Sequence, residues 1–177
     1  MMHIRLATSL DSDDIRELYL SAFSNDERQQ VAMLAINLLN EKSNPETLSL
    51  VAEVDGEVVG HIAFSPVTVE DNNTWSGYIL APLAVKPEFQ KRLIGSTLIK
   101  DGIQRLSTMD VDIVFVYGDP DYYGKFGFNP DHASSYCPPY TLEYPFGWQA
   151  MIFNEDIDTK AAKNISCVAA LNDPALW

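Results

Sequence analysis

Cysteine and basic residues are both scarce in this chain. Cys137 and Cys167 are its two cysteines among 177 residues, and they stand in no metal-ligand spacing. That argues against a disulfide framework or a zinc ribbon, and reduced thiols in a cytoplasmic protein are the simplest expectation. No apolar run approaches the ~18 residues of a membrane span. The opening residues, MMHIRLATSLDSDD, lack the basic-then-apolar layout of a signal peptide. Lysine and arginine number 12 against 25 acidic residues, a net charge of −13. A chain so acidic does not offer the basic face that generic nucleic-acid binding needs. It contains no GxxxxGK[ST] and no GxGxxG after a first strand, so Walker-type ATP binding and Rossmann-type NAD binding fall away. The histidines, His3, His61 and His132, form no HxxxH pair and no GxSxG elbow is present. His61 reads as a satisfied strand position rather than a ligand, and no metal site is expected.

Hydrophobic residues make up 46% of the chain, enough for a full core. The length fits one domain over residues 1–177, with 154–177 as a C-terminal extension packing on it. The stretch Ile79–Ile99 organises the rest. An apolar run, Ile79 to Val85, meets a Lys-Pro-Glu turn, then the basic pair Lys91 and Arg92, then Gly95 and a helical pattern. Strand, turn, basic residues and helix start together suit a phosphorylated ligand, because free N–H groups and the positive helix end both face an anion there. In so acidic a chain, Lys91 and Arg92 are informative.

Residues 3–7 read as a first strand. Asp11 or Ser12 caps a helix with Ile15, Leu18, Ala22 and Phe23 on one face. Ser24 and Asn25 interrupt it. A second helix carries Val31, Leu34, Ala35, Leu38 and Leu39, with Asp26 and Glu27 at its start and Asn44-Pro45 at its end. Leu48–Val54 alternates as a strand, Asp55-Gly56 signals a hairpin and Glu57–Val69 returns. Asp71-Asn72-Asn73 turns the chain into a third antiparallel strand, Trp75–Val85. Pro82 has no N–H, so a bulge or unpaired edge there stands beside an ordinary strand end.

A helix is expected from Gln90 to about Thr108. At ~100° per residue Ile94, Gly95, Leu98, Ile99, Gly102, Ile103 and Leu106 share one half-turn. Close backbone approach to a sheet or ligand accounts for glycine at two of these places. Asp112–Tyr117 is a short apolar strand parallel to the one before the helix. Asp119 caps a short helix through Tyr123, residues 131–147 form loop, and Trp148–Phe153 reads as a last strand. The tail from Asn154 has no strong pattern.

Leu83-Ala84-Val85, Pro87, Gln90-Lys91-Arg92-Leu93-Ile94-Gly95 and Tyr123-Gly124-Lys125-Phe126-Gly127-Phe128 resemble the GNAT superfamily of N-acetyltransferases. The segments PLAVKPEFQ and GDPDYYGKFGF are similar to its YhbS-like bacterial branch. The resemblance spans roughly residues 3–153. It implies an α+β fold, layered α/β/α, with a mixed, mostly antiparallel central sheet, splayed strands and flanking helices. It further implies acetyl-CoA as acyl donor. The pantetheine arm would pair with N–H groups near Leu83, Ala84 and Val85, and the diphosphate would sit on the turn formed by Gln90, Lys91, Arg92, Leu93, Ile94, Gly95 and Ser96. Leu93 departs from the glycine usual in that loop. If the position needs φ > 0, leucine costs on the order of 1 kcal/mol; if only an N–H is needed, leucine serves equally.

Tyr123 matches the family's general acid toward the departing thiolate. The competing reading is a packed aromatic, and Tyr122 is the adjacent competitor. Lys125 is expected to be a solvated lysine rather than a phosphate ligand. No general base is assigned; Glu27, Glu53 and Glu70 are weak candidates. The implied activity is direct acetyl transfer to a primary amine of a small molecule or peptide. The alternative is a CoA-binding or sensing module with weak or lost turnover, suggested by Leu93 and the missing base. Tyr136, Tyr140, Tyr144, Phe146 and Trp148 line either a pocket or a homodimer contact, with core or loop packing preferred for most.

Overall fold

The computed structural model describes residues 1–24, 26–70, 75–157 and 162–177. The expected break at Asn25 and the turn at Asp71-Asn72-Asn73 lie outside these residues. The described chain divides into two compact units, Met1–Phe64 with Ala81–Arg105, and Ser65–Leu80 with Leu106–Trp177. In chain order the elements are β1 (Met2–Leu6), α1 (Ser12–Ala22), α2 (Arg28–Asn40), β2 (Leu48–Val54), β3 (Glu57–Val69), β4 (Gly77–Val85), α3 (Ile94–Ser107), β5 (Ile113–Tyr117), α4 (Pro120–Tyr123), α5 (Pro130–Ala133), β6 (Tyr136–Cys137), β7 (Trp148–Ile152) and β8 (Lys163–Cys167). Short 3-10 turns fill several joints, among them Pro87–Phe89 after β4. The registered strand pairs are antiparallel except β4–β5 and β6–β8. The result is the expected mixed, mostly antiparallel sheet with helices against it.

In the first unit β1 pairs with β2, and β2 with the first half of β3. The β2–β3 hairpin turns on Asp55 and Gly56, with φ of 52° and 84°, the double left-handed geometry of a tight two-residue loop. The register then slips, because Glu53 opposes Val58 while Ala52 opposes Gly60. Val59 is therefore the extra residue of a bulge. The slip reverses the in–out alternation, so Val58 and His61 share one face, and Gly60 and Phe64 share the other.

Each face receives helices suited to it. Val51, Val58 and Ala84 form one buried cluster with Ile15, Leu18 and Tyr19 of α1 and Ala32, Ala35 and Ile36 of α2. On the other face a Cβ at Gly60 would lie 3.0 Å from both Ile94 and Leu98, and a Cβ at Gly102 would lie 2.1 Å from the Phe64 ring. Glycine at 102 thus lets α3 seat on the sheet, the close approach expected from its place on the apolar stripe.

In the second unit β4 runs parallel to β5 from Gly77↔Ile113 to Leu80↔Val116, and the ladder stops there. β7 pairs antiparallel with β5. The tail, which shows no pattern in the sequence, forms β8 against Val67–Val69 of β3. Residues expected as loop between 131 and 147 contain α5 and β6. Phe115 and Trp148 stack at 5.0 Å, with Tyr136 edge-on to Phe115 at 5.2 Å and Trp177 against Trp148 at 6.1 Å. Packing is thus the role of Tyr136 and Trp148, while Tyr144 and Phe146 are exposed.

Some strand ends differ from expectation by one or two residues, and two helix boundaries differ by more. α2 ends at Asn40, ahead of Asn44-Pro45. α3 begins at Ile94 rather than Gln90, because Lys91 and Leu93 stand at φ 62° and 64° and cannot continue a right-handed helix.

His61 is fully buried. Its Nδ1 meets the Tyr19 hydroxyl and its Nε2 the Ser49 hydroxyl, each at 2.7 Å. Burial pushes the imidazole down to about 3, against an ordinary value near 6.5. The unfolded chain therefore takes up a proton below about pH 6.5 that the folded chain refuses, and stability falls with pH across the whole interval down to about 3. The slope from this one group approaches ~1.4 kcal/mol per pH unit. The variant His61→Gln removes it. Its denaturation midpoints should vary less with pH than those of the parent between 6.5 and 3; equal slopes would contradict the account.

Candidate active site

The expected cofactor residues lie in the first unit. Leu83, Ala84 and Val85 close β4. The Lys86 N–H donates to the Val59 carbonyl at 2.9 Å, so this amide faces β3. Amides alternate sides along a strand. Ala84 therefore faces β3 too, and the N–H groups of Leu83 and Val85 face away from it. The Val85 carbonyl takes a side-chain donor, Gln90 Nε2 at 3.1 Å, in place of a strand. These observations favour the unpaired edge of the two readings of Pro82.

The turn that follows has an unusual backbone. Lys91 and Leu93 are left-handed and Arg92 between them is not. Left-handed residues in such a turn direct successive N–H groups toward one concave side. Among the described residues, the amides of Lys91, Arg92, Leu93, Ile94, Gly95 and Ser96 have no protein acceptor. Thr97 is the first to bond back, to the Leu93 carbonyl at 2.9 Å. The 14-residue α3 adds the positive end of its dipole. Lys91 and Arg92 are exposed beside these amides, and the Arg92 guanidinium lies over the Phe89 ring, 5.1 Å from its centre. Such an array can hold phosphate oxygens through backbone and charge together.

Leu93 resolves the question raised by the missing glycine. It adopts the glycine-like φ of 64°, and its side chain is 74% exposed. It gains little burial in return for a conformation that costs on the order of 1 kcal/mol. The loop shape is kept despite the strain.

Tyr123 belongs to the second unit. Asp119 caps α4 by accepting from the Asp121 N–H at 2.9 Å, as expected. The Tyr123 ring packs edge-on to Tyr122 at 5.0 Å and to Phe128 at 5.8 Å. Its hydroxyl has no protein partner among the described residues. Burial first, and the neighbouring Tyr122 second, raise its ionisation well above the ordinary phenol range, so the proton stays on at neutral pH. Lys125 sits over the Tyr122 ring at 5.9 Å, which accounts for it without a phosphate.

The support beneath Tyr123 escapes the sequence reading. A Cβ on Gly118 would come within 2.5 Å of the Tyr123 ring, so glycine here is the seat of that ring. The Gly118 carbonyl is held by Gln149 Nε2 at 3.1 Å. Its one trace in the sequence is that glycine stands between β5 and the Asp119-Pro120 helix start. The acids offered as bases fare differently. Glu53 is paired with Arg5 at 3.0 Å, and Arg5 also forks onto Asp11 at 2.9 Å on each nitrogen. Glu27 and Glu70 are exposed.

Gly118→Ala should therefore displace the Tyr123 ring and open its hydroxyl to water. In an absorbance titration of tyrosinate, taken as the difference from a Tyr123→Phe background, the Tyr123 ionisation should move down toward ~10. An unchanged titration would mean that Gly118 does not seat the ring.

The model of the acetyltransferase (GNAT) family matches residues 12–128. The chain is 39% identical over 134 residues to the uncharacterized N-acetyltransferase YjhQ of Escherichia coli K12, covering 75% of this chain and 72% of that one. It is 33% identical over 129 residues to YhbS of the same organism, covering 72% and 73%. Among solved structures, YhbS from Escherichia coli in complex with CoA superposes with a TM-score of 0.83 at 25% identity, over 97% of this chain and 92% of that one. A GNAT family acetyltransferase from Brucella melitensis in complex with acetyl-CoA gives 0.69 at 32% identity, over 96% and 97%. A strand edge left unpaired, a turn of unpaired amides and a family model spanning both thus lead to one conclusion: the chain belongs to the GNAT acetyltransferase family.

Proposed function

We propose that this protein transfers the acetyl group of acetyl-CoA to a primary amine of a small molecule or peptide, by direct attack of the amine on the thioester. The observation that carries the proposal is the run of unpartnered amides from Lys91 to Ser96 beside two cations in a chain of net charge −13. The diphosphate is assigned to those amides, with Gln90 fixing the turn through the Val85 carbonyl. The pantetheine amides are assigned to the outward N–H groups of Leu83 and Val85, in the manner of an added strand; Ala84, expected from the sequence to share in this, faces β3 instead. Two solved relatives were obtained with CoA or acetyl-CoA, which supports the same ligand here.

The chemistry follows from these assignments. The neutral amine nitrogen attacks the thioester carbon, the new C–N bond forms and the C–S bond breaks. The strand N–H near Leu83 polarises the carbonyl. Tyr123, protonated at neutral pH, donates its proton to the departing sulfur and regains one from solvent. The proton lost from the amine goes to solvent, no side chain being assigned as base. The acidic protein favours approach of cationic amines. A cytoplasmic, bacterial setting belongs to the same reading, and both named curated relatives come from Escherichia coli.

Calorimetric titration with acetyl-CoA, followed by thiol release over a panel of amines, tests the proposal. Binding in the micromolar range is expected, and Tyr123→Phe should keep that affinity while slowing thiol release by roughly a hundredfold. Absence of binding up to about millimolar acetyl-CoA would overturn the proposal. Binding without release on any amine would favour the CoA-sensing module instead. Parent-like turnover in Tyr123→Phe would remove the assigned acid.

A further inference from the structure

The first unit holds a second feature that the acetyl-transfer reading does not use. A cavity of about 520 Å³ opens between the end of β1, the end of α2 and the segment leading into β2. Ala7, Leu38 and Leu39 give it an apolar wall, while Glu41, Lys42, Ser43, Glu46 and Thr47 line the polar part. Its size falls in the usual range for small-ligand sites. Ser49 also lines it and pairs across the hairpin with Ala63. Ala63 lies four residues along β3 from Val59, whose carbonyl takes up the Lys86 N–H at the end of β4, or roughly 13 Å of strand.

The Glu41 oxygen Oε2 is buried and has no hydrogen-bond partner. Lys42 lines the same cavity but forms no salt bridge with Glu41. A buried acceptor without a donor is unfavourable until a donor arrives. Glu41 is also the C-cap of α2, its N–H bonded to the Asn37 carbonyl at 2.8 Å. The negative end of a 13-residue helix, with no basic residue in its last turn, therefore opens here and favours a cation. A metal ion fits less well. Hard cations need several oxygen ligands, and no group of three acidic, histidine or cysteine ligands stands together among the described residues.

We propose that this cavity binds a primary ammonium group on a short aliphatic stem, at a site separate from the acyl-transfer site. The ammonium donates to Glu41 Oε2, with the Ser43 and Thr47 hydroxyls as further acceptors. The methylenes lie on Ala7, Leu38 and Leu39. The site requires neither acetyl-CoA nor Tyr123.

Calorimetry with pentan-1-amine tests it, with pentan-1-ol as the uncharged control. The amine should bind one-to-one with millimolar or better affinity in the absence of acetyl-CoA, and the alcohol should not bind. Glu41→Gln should weaken the amine at least about tenfold while leaving acetyl-CoA affinity unchanged, which also reports that the variant is folded. In the parent protein, amide shifts induced by the amine should concentrate at residues 38–49. No heat up to about 10 mM amine, equal binding of the alcohol, or an unchanged affinity in Glu41→Gln would each overturn the proposal. None of these results bears on acetyl-CoA binding, so the two readings fail independently.

Discussion

Main-chain N–H groups that the protein leaves without acceptors are the constraint on which the functional reading depends. The first N–H groups of any helix lack intrahelical acceptors, and here the run of unpartnered amides reaches back from Ser96 to Lys91, so its donors are free for something else. Two non-glycine residues in the left-handed region hold it open. Strain of that kind persists only where the surroundings over-determine it, and here both ends of the loop are fixed. Gln90 ties one end to the Val85 carbonyl, and the α3 seat fixes the other.

That seat is set by the sheet. The bulge at Val59 reverses the faces of β3, presenting Gly60 and Phe64 to α3 and leaving Val58 and His61 for α1 and α2. The narrow fits of Gly60 against Ile94 and Leu98, and of Gly102 against Phe64, locate the axis of α3 and so its free N-terminus. The same bulge supplies the Val59 carbonyl that takes up the Lys86 N–H, which orients the last residues of β4. One inserted residue in β3 thereby governs both the strand edge and the helix start. In the second unit, Gly118 does for Tyr123 what Gly102 does for α3, since the absence of a Cβ defines where the ring lies.

Much of this was legible in the chain. The apolar spacing of Leu48–Val54 showed β2, and Asp55-Gly56 showed the hairpin that returns as β3 over Glu57–Val69, because a two-residue turn needs residues that tolerate the left-handed region. The apolar spacing of α3 was equally plain. Its true start was not, since nothing in the propensity of Lys91 or Leu93 announces a left-handed backbone. The family resemblance identified the loop, but only the coordinates show that Leu93 keeps the glycine shape. β8 was missed because a short strand pairing with Val67–Val69 needs no strong pattern of its own. The seating of Tyr123 on Gly118 and the unpartnered Glu41 are tertiary facts with no local signature.

The most direct measurement of the central claim is an amide-resolved NMR titration of the protein with CoA. The account predicts that the N–H resonances of Lys91 to Ser96 shift together, downfield as they gain phosphate acceptors, and become protected from exchange, with Leu83 and Val85 following. If CoA binds while these amides stay unmoved and freely exchanging, the turn is not the anion site and the account of this fold's function is wrong.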